Sequence, residues 1–463
     1  MRKYLLFCPI GLLACATLLL TGRAEAQRPP SVYAIVGARI EIGDGRVIEK
    51  GTIVLRDGVI VAVGADVKPP TDAEVIKGEG LVVYPGFIDA YSNAGLALPE
   101  AKPQQDTPPD ASLIASPSMR EANRKGVRPE LRAVDYLALG DGQLTPLRQN
   151  GFTTQLIIPS DGMINGQGVL VNLSGRPRRE SVIRRKVGFG FGFNAGAGGN
   201  YPGSLMGIIA HVRQTLLDAQ YYALQLRAFE KTKTLRPPDD EVLETLQEPL
   251  TQKAPVLFDA DTEFQIVRAL KISEEFHLPL MLAGCSEAFL QIERLKSHPT
   301  PILLSLNFGK EPVADEEIPA TAQAELKAKW QERVGNAVVL AKASLPFAFS
   351  TKGLKSPAEF WENLRRVIKA GLPRDTALRA LSLQPAQFLG VDRLLGTVEV
   401  GKSVALTVMN GDFVDAKTKV SYLFIDREKF DLIKENTPPP APVRPRRNRQ
   451  DNDDDPNGEG SHR

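Results

Sequence analysis

The order of short apolar runs in the middle of the chain is the feature that most constrains the fold. Apolar strands are predicted at residues 255–259, 278–284 and 301–306, so that successive strands begin about 23 residues apart. A stretch with helical periodicity covers residues 263–276, between the first two of these strands. Strands that alternate with helices in this way favour parallel β/α units. The regular interval therefore predicts an α/β chain whose central part is a (β/α) barrel.

Both ends of the chain add short strands to this central unit. In the N-terminal region, Asp57-Gly58 lies between two β-branched runs, which is typical of a β-hairpin. In the C-terminal region, further strands are predicted at 406–412 and 420–426. The last segment, residues 436–463, is rich in proline, arginine and aspartate. Such a composition cannot bury a core, so this tail is predicted to be disordered.

The first 26 residues have the pattern of a secretory signal peptide. Arg2 and Lys3 precede an apolar run, and Ala24-Glu25-Ala26 provides an A-x-A cleavage site. A membrane anchor is disfavoured, because the run is only about 17 residues long and proline and glycine interrupt it. A lipoprotein processed at Cys15 is the less favoured alternative. The prediction is a secreted or periplasmic protein with no membrane span after cleavage.

Charge and cysteine content restrict the partners and the chemistry. The chain has 57 basic and 55 acidic residues, and its net charge of +2 predicts no nucleic acid or other polyanion as a partner. Two of the three cysteines lie in the signal segment, so Cys285 alone remains and no internal disulfide is expected. Cys285 is open to two interpretations, a nucleophile or a buried structural thiol, and the second is the more common.

Three motifs carry a resemblance to a known family. Residues 83–96 read VYPGFIDAYSNAGL, which resembles the first metal-binding strand of the amidohydrolase superfamily, usually PGFIDAHxHxG. The segment 383–408, with LQPA, LG, GTVEVGK and LTV in order, is similar to the family's C-terminal pattern. Residues 149–154, QNGFTT, are similar to its G-V-T-T strand. The likeness covers roughly residues 32–430 and is strongest to the imidazolonepropionase-like branch.

The resemblance implies a (β/α)8 TIM-like barrel with a composite β-sandwich domain formed by both termini. Together with the predicted signal peptide (1–26) and disordered tail (436–463), this gives an N-terminal β-sandwich segment (27–84), the amidohydrolase-like barrel (85–382) and a C-terminal β-sandwich segment (383–435).

Members of this family bind one or two divalent metals, usually zinc, at the C-terminal ends of barrel strands. Their ligands are His-x-His after the first strand, Lys or Glu after the fourth, His after the fifth and sixth, and Asp after the eighth. The metal lowers the pKa of a bound water and so supplies hydroxide near neutral pH. The last Asp then takes a proton as the general base.

In this sequence the matching positions carry other residues. Tyr91 and Asn93 stand at the His-x-His positions, and the three later positions are held by Asp259, Ser286 and Lys352. The ligand of the fourth strand has no clear counterpart. An ammonium where a carboxylate normally bonds the metal would repel a divalent cation.

The histidines support the same conclusion without an alignment. Zinc sites of this type draw mainly on imidazoles, and the chain has four histidines, His211, His277, His298 and His462. None of them follows a predicted barrel strand. We therefore predict that the site holds no metal and that the protein uses no zinc cofactor.

Lys352 is predicted to fill the volume that the metal leaves and to form an ion pair with Asp259 or Asp89, because charged groups in a pocket need partners. The alternative is an exposed lysine on a βα loop. A further alternative is an all-oxygen site for Mg²⁺ or Ca²⁺ from Asp89, Asp259, Asp261 and Glu263. Asp261 and Glu263, however, flank Thr262, and this pattern is typical of a helix N-cap region.

A glycine-rich run at residues 188–200 precedes a predicted helix from about Ser204. It lacks the Lys-Ser/Thr of a P-loop. A flexible loop over the barrel mouth, with phenylalanines lining a pocket, is the favoured interpretation, and an anion-binding loop is the alternative.

The predicted function is a secreted or periplasmic amidohydrolase-superfamily protein with a degenerate metal centre, acting as an inactive binding or partner subunit. Its partner would be an active paralogue or a second copy of itself. One alternative is an active amidohydrolase that hydrolyses C–N bonds with an atypical site. Another is a receptor that binds a small molecule in the vestigial pocket. The candidate catalytic residues are Asp259, Lys352 and Ser286, and the candidate ligand-binding residues are Asp89, Tyr91 and Asn93.

Overall fold

The computed structural model describes residues 31–98, 126–160, 162–195, 202–313 and 318–435. The predicted signal peptide, the lipoprotein alternative at Cys15 and the predicted tail 436–463 lie outside the described residues. Within the described ranges, no helix is both long enough and apolar enough to cross a bilayer.

Both ends of the chain contribute to one eight-stranded sheet. Its strands are β1 (Val32–Glu41), β2 (Val47–Arg56), β3 (Val59–Gly64), β4 (Glu74–Lys77), β5 (Val82–Pro85), β16 (Ala405–Met409), β17 (Val420–Ile425) and β18 (Glu428–Asp431). Their order is β18-β17-β16-β5-β1-β2-β3, and β4 pairs with β1. The antiparallel pair of β5 and β16 joins the two ends.

The predicted hairpin is confirmed within this sheet. Strands β2 and β3 are antiparallel, and Asp57 and Gly58 between them have φ angles of 51° and 83°. Two consecutive left-handed residues match the twist of the flanking strands. The apolar side chains of the sheet, among them Ile35, Ile53 and Leu406, form a core of their own.

The central region of the chain forms two further sheets. The strands are β6 (Phe87–Ser92), β7 (Phe152–Ile157), β8 (Ile164–Gln167), β9 (Val169–Asn172), β10 (Val182–Arg184), β11 (Phe189–Phe191), β12 (Val256–Ala260), β13 (Leu280–Gly284), β14 (Ile302–Ser305) and β15 (Phe347–Ser350). Their orders are β10-β9-β7-β6 and β15-β14-β13-β12-β11-β8. Strands β11 to β15 are parallel, as are β6 and β7, so the predicted parallel β/α units are confirmed.

Twelve α-helices surround and connect the sheets in the described part of the chain. They are α1 (Asp141–Gln149), α2 (Arg178–Ser181), α3 (Leu205–Thr232), α4 (Glu241–Thr245), α5 (Gln247–Leu250), α6 (Glu263–Phe276), α7 (Ile292–Ser297), α8 (Ala320–Lys342), α9 (Pro357–Lys369), α10 (Arg374–Leu381), α11 (Leu383–Phe388) and α12 (Leu432–Glu435). Helix α6 has the predicted bounds.

The two central sheets enclose one inner core. Alternate strand residues, including Ile88, Leu156, Leu257, Leu303 and Ala348, form a single buried cluster. Their neighbours along the same strands, such as Phe87, Ile157 and Phe258, pack outward in the larger cluster with the helices. This alternation is the inside–outside pattern of a barrel wall.

The predicted closed (β/α)8 barrel is nevertheless only partly correct, because hydrogen bonding among the described strands does not close. Strand β15 lies beside β6 with no ladder between them. Instead, the Asp89 side chain of β6 accepts a hydrogen bond from the backbone N–H of Thr351, just after β15. On the other side of β6, strand β9 is antiparallel to β7, and β8 is antiparallel to β11. These two antiparallel strands therefore stand between β7 and β11, where a (β/α)8 barrel would have its third parallel strand.

The glycine-rich run also differs from its prediction. Residues 189–191 form strand β11, and Phe189 and Phe191 are buried in the core. Phe193 follows the strand and packs against Phe258, with ring centroids 4.8 Å apart. The beginning of the run is therefore a barrel strand and not a loop, while residues 196–200 lie outside the described ranges.

Candidate functional site

The six predicted site residues lie at one edge of the barrel. Asp89 and Tyr91 are in β6, and Asn93 follows it. Asp259 is near the end of β12, while Ser286 and Lys352 each lie two residues beyond the ends of β13 and β15. Because these strands are parallel, their C-terminal ends meet at the same edge. This is the edge where barrel enzymes carry their active sites.

Asp89 is fully buried, and both of its carboxylate oxygens are hydrogen-bonded. The Gln155 amide donates to Oδ2 at 2.9 Å, and the Thr351 hydroxyl donates to the same oxygen at 2.6 Å. The Thr351 N–H donates to Oδ1 at 2.8 Å, and the Tyr91 N–H lies 3.5 Å from that oxygen. Burial raises the pKa of Asp89, although these donors act in the opposite direction. Asp89 thus ties β6 to β7 and to the residue that follows β15.

Lys352 and Asp259 form the predicted ion pair. Lys352 Nζ lies 2.6 Å from Asp259 Oδ1, and the two side chains are 22% and 29% exposed. A Cβ placed on Gly284 would lie 3.1 Å from the same nitrogen and 3.0 Å from Asp261 Oδ1. The ammonium therefore lies close to the end of β13. Burial raises the pKa of Asp259, and the positive charge of Lys352 pulls it down to some extent.

Tyr91 and Asn93 point to different environments. Tyr91 is buried in the inner core, and burial together with the negative charge of Asp259 raises the pKa of its hydroxyl. Asn93 is exposed, and its amide donates to the Ser160 hydroxyl at 3.0 Å. The residues at the His-x-His positions consequently do not face one common point as two metal ligands would.

Ser286 and Cys285 have the environment of structural residues. The Ser286 hydroxyl donates to the backbone carbonyl of Asp261 at 3.3 Å. Cys285 is buried, and this burial raises the pKa of its thiol. A nucleophile of either type needs an adjacent base or a lowered pKa, and the described contacts provide neither. The structural interpretation of Cys285 is therefore favoured.

The histidines lie away from the site. His211 is within α3, His277 caps the C-terminal end of α6 and His298 follows α7. In a β/α unit, the end of each helix lies at the edge opposite to the C-terminal ends of the strands, so His277 and His298 are at the far edge. His462 falls outside the described residues.

The site residues do not fit a divalent metal. Strand β11, which precedes β12 in the sheet, is followed by Gly192 and Phe193, so no Lys or Glu stands at the position of the fourth-strand ligand. Across the described ranges, no three His, Cys, Asp or Glu side chains converge into a group able to hold a metal ion. The all-oxygen alternative lacks its converging carboxylates, because Asp89 is engaged by its donors and Asp259 by Lys352.

A cavity of about 250 Å³ opens beside the ion pair. It lies between the loop after β6, helix α1 and the loop after β15. Leu139, Leu147 and Leu354 contribute an apolar wall, and Asn93 and Lys352 contribute polar groups. Small-molecule sites combine apolar walls with a few fixed polar groups in this way.

Two functional side chains were not predicted from the sequence. Gln155 and Thr351 hold the Asp89 carboxylate, and both also line the cavity. The available signal for Gln155 was its position in the buried strand Phe152–Ile157, since a buried polar side chain requires a partner. Thr351 carried no comparable signal.

Comparison with known proteins connects this geometry to one fold. Residues 317–435 match the model of the amidohydrolase family. Among solved structures, an amidohydrolase from Thermotoga maritima has a TM-score of 0.69 at 21% identity, over 86% of this chain and 100% of that one. A prolidase complexed with N-methylphosphonate-L-proline has a TM-score of 0.52 at 15% identity, over 86% and 99%. A second amidohydrolase has a TM-score of 0.50 at 14% identity, with the same coverage. No curated protein sequence matches.

Proposed function

We propose that this protein is a binding or partner subunit that does not hydrolyse amides. Its resemblance to the amidohydrolase superfamily is confirmed by its fold and by the match over residues 317–435. In this proposal it works in the secreted or periplasmic compartment that its N-terminal sequence predicts. The observation that carries the proposal is the ion pair between Lys352 and Asp259.

The charge of Lys352 opposes a metal in the pocket. An ammonium 4 Å from a divalent cation costs about 8 kcal/mol at an effective dielectric constant of 20. Asp259 would have to exchange its lysine partner for the metal, and Asp89 would have to give up its three short hydrogen bonds. Metal binding would thus break the contacts that hold this edge of the barrel together.

The same lysine also removes the general base. A base must be able to accept a proton from the attacking water. The Lys352 ammonium is paired with Asp259 at 2.6 Å, and an ammonium has no lone pair with which to accept a proton. An active hydrolase with an atypical site is for this reason the weaker proposal.

A receptor role is favoured by the cavity beside the ion pair. Its volume of about 250 Å³ suits a small ligand of about ten heavy atoms, and Lys352, Lys355 and Asn93 line it with hydrogen-bond donors. Binding of a small polar molecule there would need no metal. A partner role beside an active paralogue is compatible with the same site. In both the receptor role and the partner role, the protein is proposed not to hydrolyse a substrate.

The proposal is tested by metal content and hydrolysis measured on the same preparation. The purified protein is incubated with zinc and dialysed, and its metal is quantified by mass spectrometry. We expect far less than one zinc per chain and no chelator-sensitive hydrolysis of dipeptides or cyclic amides. Stoichiometric zinc together with chelator-sensitive hydrolysis would overturn the proposal.

A matched pair of variants separates the ion pair from a general charge effect. Lys352→Asp removes the ammonium and releases Asp259, so zinc affinity should rise. Lys355→Asp makes the same change at another lysine of the cavity lining, and it should leave zinc affinity near that of the unchanged protein. An equal rise in both variants would contradict the role assigned to Lys352.

A further inference from the structure

Helix α3 carries a continuous exposed seam that the proposed function does not use. Its buried face includes Ile208, Val212 and Leu216, which pack into the core. The opposite face exposes Met206 by 82%, Leu217 by 49%, Tyr221 by 54% and Leu224 by 58%. We define the α3 seam as Met206, Ala210, Arg213, Leu217, Tyr221, Leu224 and Ala228.

The α3 seam is straight and long. Its steps of four and three residues keep all seven positions within an arc of about 80° on a helix that turns about 100° per residue. From the first residue to the last it spans about 33 Å, at about 1.5 Å per residue. A typical stable interface buries about 800 Å² per partner, equivalent to a patch about 28 Å on a side. The seam thus supplies the full long axis of such a patch.

Two copies of the α3 seam fit each other when they run in opposite directions. If two copies pack antiparallel about a two-fold axis at Leu217, Leu217 meets Leu217 of the second copy. Ala210 then faces Leu224, and Met206 faces Ala228, so that a small side chain opposes a large one in each pair. This alternation of small and large residues is what close packing of two surfaces requires.

The polar members of the α3 seam also fit this arrangement. Arg213 would face Tyr221, a pairing that places a guanidinium on an aromatic ring. Arg213 is held at 2.7 Å by Glu275 of α6 and remains 39% exposed, so it is already fixed near that position. No pair places like charges opposite one another.

A groove beside the α3 seam offers a place for one of the facing side chains. It has a volume of about 430 Å³ and is lined by Met206, Ile209, Ala210, Arg213, Gln214 and Leu217. In the antiparallel arrangement, Leu224 of the second copy meets Ala210 and enters this groove. The same contact occurs twice, once at each end, because a two-fold interface is isologous.

We infer that the α3 seam is the interface of a homodimer with antiparallel α3 helices. This inference is independent of whether the barrel site binds metal or ligand. It commits to a second copy of this chain, because small and large side chains of the seam alternate so that they fit its own reverse, and the groove beside Ala210 accommodates Leu224 of that copy.

Substitution at the two-fold axis tests the inference. Leu217→Glu would place two carboxylates opposite each other and should weaken dimerisation about 100-fold or more. Leu235→Glu makes the same change at a residue that is 82% exposed and lies outside the α3 seam, and it should leave the dimer unchanged. Sedimentation equilibrium on the full chain gives the dissociation constants, and thermal melting checks that both variants fold.

Mixing variants identifies the occupant of the seam. Leu217→Glu and Leu217→Lys should each be monomeric alone and should form a heterodimer when combined, because the two-fold axis brings these side chains together. Recovery of the dimer in the mixture supports the inference. A wild-type chain that is monomeric throughout, a dimer that survives Leu217→Glu, or a mixture that stays monomeric would each overturn it.

Discussion

Asp89 and Asp259 are acidic residues at the same edge of the barrel, but their partners differ in kind. Asp89 is bound by neutral donors from β7 and from Thr351, and it is completely buried. Asp259 is bound by one cation, and its side chain is still 29% exposed. The first residue therefore acts as a structural link between strands. The second is the residue whose charge state can change with a ligand or with pH.

The raised pKa of Asp259 gives a prediction for stability against pH. A carboxyl whose pKa is higher in the folded than in the unfolded state binds its proton more tightly when folded. The tighter proton binding stabilises the folded state at a pH below the ordinary aspartate pKa of about 3.9. This stabilisation is lost as the pH rises through the raised pKa of the folded state. The stability of the wild type relative to Asp259→Asn should accordingly fall with rising pH across that window and then level off. Urea unfolding at a series of pH values measures this difference.

Asp72 provides a control, because its effect on stability should change with pH in the opposite direction. The hydrogen bond from Arg56 lowers the pKa of Asp72. The stability of the wild type relative to Asp72→Asn should therefore be lost as the pH falls through the lowered value. Slopes of the same sign for the two variants would contradict the environment described for Asp259.

The contrast between these residues also shows what the sequence can predict. The pair of Lys352 and Asp259 was predictable, because two opposite charges stand at positions that the family motif brings together. The donors to Asp89 were not, because Gln155 of β7 and Thr351 after β15 are brought to β6 only by the complete fold. Hydrogen-bond partners that are distant in sequence leave no spacing signal.

At the scale of secondary structure, α6 and β11 mark the two extremes of predictability. Helix α6 has clear apolar periodicity, and its bounds agree with the prediction. Strand β11 lies in a run in which glycine alternates with phenylalanine, and the many glycines favour a loop over a strand. A Cβ on Gly190 would lie 2.7 Å from Ile158 and 2.9 Å from the carbonyl oxygen of Pro159. Glycine is present there because the neighbouring backbone comes too close for a side chain, and a single sequence does not reveal such contacts.

The start of α6 allows a prediction at this scale. The Gln265 side chain accepts hydrogen bonds from the backbone N–H groups of Asp261 and Thr262, at 2.9 and 3.1 Å. Gln265→Ala removes both and should reduce the free energy of unfolding by about 1 kcal/mol. Lys271→Ala changes an exposed residue of the same helix and should have a much smaller effect in the same urea titration. Equal losses for the two variants would argue against capping by Gln265.

At the scale of the whole molecule, Arg374 connects the composite sheet to the helices around the barrel. Arg374 begins α10, and its guanidinium contacts Glu41 of β1 at 2.9 Å and Asp412, which follows β16, at 2.6 Å. Glu41 is only 3% exposed at its side chain. The same guanidinium lies 5.1 Å from the centre of the Phe413 ring. One side chain thus holds together segments from the beginning and the end of the sequence.

Loss of Arg374 should destabilise the fold chiefly through the charge that it leaves behind. Among the described residues, Arg374→Met would leave the buried Glu41 with only the contact from Arg39 Nε at 3.2 Å. An uncompensated buried charge costs several kcal/mol. Because Arg39 remains, we expect a loss of about 2 kcal/mol in the free energy of unfolding. Arg379→Met, an exposed position on the same helix, should cost much less.

The double variant distinguishes this cause from simple loss of packing. If the buried charge of Glu41 is responsible, adding Glu41→Gln to Arg374→Met should recover some of the stability, because the carboxylate that lost its partner is then neutral. If the cost comes from the packing of the arginine stem, the second substitution should add its own loss to the first. Urea unfolding of the four chains in this cycle measures the coupling. A sum of independent losses would show that the sheet and the helices are held together by apolar contacts and not by this charge.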